Sequence, residues 1–112
     1  TMRTIVSEII REKIFRNTND EVPHGAGIEI IRYKEPGGSG GITSIEANIY
    51  CEKATHKGIL IGKNGEKLKQ IGSAACRDIE RIVGGQVNLK LWVKVKDDWR
   101  NSPGMLKELG FQ

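Results

Sequence analysis

The stretch Gly58-Ile59-Leu60-Ile61-Gly62-Lys63-Asn64-Gly65-Glu66-Lys67 decides how the rest of the sequence reads. Two glycines three apart, Gly62 and Gly65, separate two segments of helical pattern, and glycine permits a tight reversal with no side chain shielding the backbone. On the near side, Thr55 to Ile61 suits one short helix. On the far side, Leu68, Ile71, Ala75, Ile79 and Ile82 recur at helical spacing, which predicts a longer helix over Glu66–Val83 with those five on its inner face. Gly84-Gly85 stops it.

Toward the C-terminus, Val87, Leu89, Leu91, Val93 and Val95 alternate with Asn88, Lys90, Trp92, Lys94 and Lys96, the period of a strand. Ser102-Pro103 then offers an N-cap and a first-turn proline for a short closing helix reaching Leu109. Toward the N-terminus, Ile45, Ala47, Ile49 and Cys51 alternate with Glu46, Asn48, Tyr50 and Glu52, a strand with one buried and one wet face. The loop Glu35-Pro36-Gly37-Gly38-Ser39-Gly40-Gly41 precedes it, and the β-branched segment Ala26 to Lys34 comes before that. Two strands joined by so short a loop predict an antiparallel pair. At the start, Ile5, Val6, Ile9, Ile10, Ile14 and Phe15 mark an amphipathic helix, expected to stop before Asn17-Thr18-Asn19-Asp20.

The order helix, strand, strand, helix, helix, strand, helix predicts an α+β fold, a two-layer sandwich of a three-stranded mixed sheet and helices. A chain of 112 residues is the size of one domain. Hydrophobic residues at 38% and charged residues at 29% exclude a disordered or fibrous chain. The apolar runs are too short for a membrane span or an export signal. Cys51 and Cys76 lie far apart, and His24 and His56 are no better placed, so no metal or cofactor is expected and both thiols read as reduced in a cytosol-like compartment.

Charge is distributed unevenly. From Lys53 to Lys96 ten basic residues face three acidic ones, while the remainder carries a net −3. A basic excess confined to one stretch is the footprint expected for a polyanion; its competing explanation is a solvated helix face. The glycine corner favours the first. The second helix begins there, so its unpaired N–H groups and positive dipole end point into one space, a site suited to phosphate. Lys63 stands in the turn as a point charge, with Lys57, Lys67 and Lys69 raising the potential from the flanking helices. Ile59, Ile61 and Leu68 supply apolar surface on which bases can rest. Aromatic residues are absent from this stretch, which favours a narrow backbone-gripping groove over a stacking platform.

These residues resemble a KH domain of type II, with its extra helix and strand on the N-terminal side. More narrowly, the chain resembles the C-terminal RNA-binding domain of the Era family of ribosome-assembly GTPases. The resemblance is carried by Glu8-Ile9-Ile10-Arg11-Glu12-Lys13, Glu21-Val22-Pro23-His24, Ile59-Leu60-Ile61-Gly62-Lys63-Asn64-Gly65, Leu91-Trp92-Val93-Lys94-Val95-Lys96, Asp98-Trp99-Arg100 and Leu109-Gly110-Phe111. It implies one KH domain over 1–112, with a core over 42–96, an N-terminal extension over 1–41 and a C-terminal helix over 97–112. It also implies binding to single-stranded RNA, the 3′ end of small-subunit ribosomal RNA during ribosome assembly, with the small subunit and a GTPase domain as partners. The compartment implied is the bacterial cytoplasm, or an organellar matrix for a eukaryotic source. The family's G-x-x-G carries over onto Gly62, Lys63, Asn64 and Gly65. Asn64 replaces a glycine that many members have, and Cys76 sits where a basic residue is common.

No G-x-x-x-x-G-K-[ST] phosphate loop is present, because three residues separate Gly58 from Gly62 and Asn64 occupies the Ser/Thr position. The chain therefore reads as a non-enzymatic part of a longer protein. The competing reading is a protein-interaction module using the first helix or Trp92 and Trp99, although both tryptophans are expected to pack against the closing helix.

Overall fold

In the computed structural model, residues 1–18, 22, 26–38 and 40–96 are described. They form helix α1 (Met2–Thr18), strands β1 (Gly27–Lys34) and β2 (Thr43–Cys51), helices α2 (Ala54–Ile61) and α3 (Glu66–Val83), and strand β3 (Val87–Val95). A 3-10 turn over Lys63–Gly65 joins α2 to α3. The closing helix and Trp99 lie outside the described residues.

The sheet order is β1-β2-β3, with β1 antiparallel and β3 parallel to β2. The parallel pair follows from the connection: two helices separate β2 from β3, and a crossover of that kind returns the chain in the same direction. Central β2 buries Ile45, Ala47 and Ile49 against the helices. Their register partners Ile30, Ile28, Leu89, Leu91 and Val93 share that inner face, and α1 and α3 cover it with Val6, Ile10, Ile14, Ile71, Ala75 and Ile79. The fold is thus α+β in two layers over a mixed sheet. Among the described residues no helix is long and apolar enough to cross a membrane.

Three local outcomes differ from the sequence pattern. Helix α1 runs through Asn17 and Thr18, because the Thr18 hydroxyl donates to the Ile14 carbonyl at 2.8 Å and the Asn17 amide to the Lys13 carbonyl at 2.6 Å. Those side chains fold back onto carbonyls one turn earlier in the helix in place of breaking it. Ile82 is 50% exposed, while the adjacent Val83 is the residue of the last turn that packs half-buried against the core. Asn48, on the nominally wet face of β2, is only 5% exposed: its amide donates to Glu29 at 3.2 Å and to Tyr50 at 3.3 Å, and the Tyr50 hydroxyl donates to Glu29 at 2.7 Å.

Lys13 is only 9% exposed; its ammonium sits 2.5 Å from Asp78 on α3 and 2.8 Å from Glu12. This contact pins α1 to α3. Hydrogen bonding to Lys13 is the main cause holding the Asp78 carboxyl below its ordinary range, and Lys13 is raised by the same partner first. Asp78 contributes stability that is complete above its unfolded pKa and is lost as pH falls through the depressed folded value. Lys13 contributes in the opposite sense, below its unfolded pKa, and loses its part only as pH rises through a folded value above the ordinary lysine range. Asp78→Asn is expected to lower the melting temperature at pH 7. The gap from the parent should shrink steadily below about pH 4, where the parent carboxyl protonates too. A gap that stays constant down to pH 2 in thermal melts would show that the pair contributes through packing alone.

Candidate nucleic-acid interface

The corner between α2 and α3 is built from backbone that few residues adopt. Gly62 has φ 74° and ψ 178°, a region open in practice to glycine alone. A Cβ there would lie 2.6 Å from Lys67 Cβ and 3.0 Å from its backbone nitrogen, so the chain packs directly over Gly62. Gly65 is left-handed at φ 75° and ψ 9°, with open space where a side chain would stand. Asn64 is left-handed as well, at φ 57° and ψ 24°. Asparagine is among the few side-chain-bearing residues that visit this region routinely, which explains how it sits in the turn without breaking it.

Two of the four corner amides are used internally. Gly62 N–H donates to the Gly58 carbonyl at 2.8 Å and Gly65 N–H to the Gly62 carbonyl at 3.2 Å. The amides of Lys63 and Asn64 have no acceptor among the described residues, and both side chains are exposed. They stand one turn before the N-terminus of the 18-residue α3, where the helix dipole adds positive potential. Glu66 in the first turn of α3 partly offsets that potential.

A groove of about 490 Å³ starts at Gly65 and runs between α3 and β3. Leu68, Gly72, Val87, Leu89 and Leu91 make it largely apolar; Lys69, Ser73, Cys76 and Asn88 line it with polar or thiol groups. At its far end two bonds tie β3 to α3: Val87 N–H donates to the Glu80 carboxylate at 2.9 Å, and the Cys76 thiol to the Val87 carbonyl at 3.2 Å. Burial, then the charge of Glu80, raises the Cys76 pKa, so the thiol stays protonated and can donate. One wall of the groove is the sheet edge, because among the described residues β3 has a neighbour on one side only.

Of the sequence-predicted site residues, Gly62, Lys63, Asn64 and Gly65 form the corner, and Leu68 and Lys69 line the groove with Gly65. Ile59 and Ile61 pack half-buried against the core. Lys67 backs Gly62, and Lys57 is half-buried on α2. The groove residues that the sequence did not single out are Gly72, Ser73, Cys76, Val87, Asn88, Leu89 and Leu91. Among the described residues no cluster of histidine, cysteine or acidic side chains could hold a metal ion, and both cysteines are free thiols.

The family model described as a KH domain matches residues 9–100. The chain belongs to the KH domain family. Its relatives include GTPase Era of Ruminiclostridium cellulolyticum, 54% identical over 98% of this chain and 36% of that protein. GTPase Era of Alkaliphilus oremlandii is also 54% identical, over 97% of this chain and 37% of its own length. In three dimensions the KH domain superposes on a crystal structure of an Aquifex aeolicus Era variant bound to GDP and aluminium fluoride, with TM-score 0.91 at 36% identity. It superposes equally well on Era in complex with MgGDPNP and nucleotides 1506–1542 of 16S ribosomal RNA, again TM-score 0.91 and 36% identity. The match covers 99% of this chain and 37% of each of those. The chain thus spans little more than a third of the relatives it matches.

Proposed function

We propose that this KH domain binds single-stranded RNA, the 3′ end of small-subunit ribosomal RNA during ribosome assembly, as the RNA-binding part of an Era-like GTPase in the bacterial cytoplasm. The observation that carries the reading is the pairing of two unused amides, Lys63 and Asn64, with a groove that opens at the same corner. In this arrangement the corner holds a phosphate through those amides and the Lys63 ammonium, and Lys69 meets the next stretch of backbone. Lys57 and Lys67 raise the surrounding potential. Leu68 and the apolar side chains of β3 receive the bases, while Ile59 and Ile61 hold α2 in place beneath the corner. The complex of a structurally similar Era with 16S ribosomal RNA nucleotides supports the choice of ligand. In this reading the domain itself performs no chemistry, which is supported by its matching a KH model and only 36% of a relative named as a GTPase.

Salt dependence tests the reading. Clamping about four nucleotides, each contributing a slope of roughly −0.7 in log K against log salt, predicts an affinity loss of about 50-fold between 50 and 200 mM salt. Fluorescence anisotropy with a labelled single strand copied from the 3′ tail measures it. Binding that is indifferent to salt would assign the groove to an apolar protein segment.

A further inference from the structure

β3 presents a different surface on each side. Inward, Leu89 and Leu91 line the groove; outward, Lys90, Trp92 and Lys94 occupy successive positions of the opposite face. Trp92 is 42% exposed. Alternate strand residues lie about 6.6 Å apart, so the two lysines flank the indole as a short cationic column. The carboxylates of this face are engaged elsewhere: Glu46, the register partner of Lys90, is held by Arg32 at 3.4 Å, and Glu29, across β2 on β1, by Tyr50 and Asn48; the register partner of Lys94 is Tyr50. Lys90 and Lys94 form no salt bridge among the described residues. Beside Trp92 in the sheet, the buried side-chain oxygen of Asn48 has no donor among the described residues.

The two faces are continuous around the open edge. Asn88 points outward in register with Ser44, yet it lines the groove, and with Lys90 it also lines a small outer pocket of about 50 Å³. A protein interface surrounds its central tryptophan with apolar side chains and excludes charge. Here lysines flank it, which is the pattern for single-stranded nucleic acid: a base stacks on the indole while ammonium groups meet the phosphates. We propose that the outward column Lys90-Trp92-Lys94 is a second nucleotide site, taking the single strand after it leaves the groove and rounds the β3 edge. This rests on the groove being the RNA path, and it extends the footprint beyond the groove.

Single strands of four and ten nucleotides copied from the 3′ tail of small-subunit ribosomal RNA separate the two ideas. Both should shift the amide resonances of Gly62 and Gly65. Only the ten-mer should shift the Trp92 indole N–H, assigned through Trp92→Phe. Trp92→Ala should weaken the ten-mer roughly 5- to 150-fold and leave the four-mer unchanged. A Lys90→Ala, Lys94→Ala variant should reduce the salt slope for the ten-mer by about 1.4, the share of two phosphates, and keeps the proposal testable should Trp92→Ala not fold. Both strands moving Gly62 and Gly65 while the ten-mer leaves the indole unmoved would overturn the second site and leave the groove standing. Unmoved glycines would overturn both.

Discussion

The Lys63→Asp, Asn64→Asp double variant is expected to lose RNA binding by at least about 100-fold and to melt within a few degrees of the parent. The loss follows from charge at one corner. Each hydrogen bond to an ionised partner is worth about 1.5–3 kcal/mol, and removal of the Lys63 ammonium forfeits one of them. Two new carboxylates then face the phosphate path beside the two unused amides. The fold should survive because both side chains are exposed and neither contributes to the core. Aspartate, like asparagine, tolerates the left-handed conformation held by residue 64. Anisotropy titration at low salt, beside a thermal melt of the same sample, checks both halves. A folded double variant that binds RNA as tightly as the parent would remove the corner from the site.

How far the sequence could anticipate this arrangement depends on whether a feature is local. The bounds of α3 were legible because glycines bracket it at both ends, and β3 because period-two alternation requires nothing beyond the strand itself. The corner was legible for the same reason: G-x-x-G, an interior lysine and a helix start lie within one short stretch. The groove was only half legible. Its two walls come from separate segments, and which β3 residues meet Leu68 and Gly72 is fixed by the parallel register with β2, which no local pattern carries. Lys13 shows the same limit, since its partner Asp78 lies on another helix. The exit of α1 differs for another reason: Asn17 and Thr18 have side chains equally able to break a helix or to bond back to carbonyls four residues earlier, and the neighbours decide.

Gly62 and Gly65 look equivalent in the sequence and are not equivalent in the fold, so their alanine variants should part company. Gly65→Ala places a Cβ in open space at a left-handed φ and should cost roughly 1 kcal/mol or a little more, the usual penalty for a side chain in that region. Gly62→Ala meets two obstacles at once. Its φ and ψ lie where only glycine is at ease, a strain of order 1–3 kcal/mol, and its Cβ would come 2.6 Å from Lys67 Cβ and 3.0 Å from a backbone nitrogen that cannot swing aside. Relief requires the start of α3 to move away from α2, which turns the Lys63 and Asn64 amides off the mouth of the groove. Gly62→Ala should therefore cost about 2–4 kcal/mol in urea unfolding. It should also lose RNA affinity at temperatures where the variant is still folded, whereas Gly65→Ala keeps most of its binding. Equal stability losses in the two variants would mean that the close packing of Lys67 over Gly62 does not exist in solution, and the corner would then owe its shape to backbone dihedrals alone.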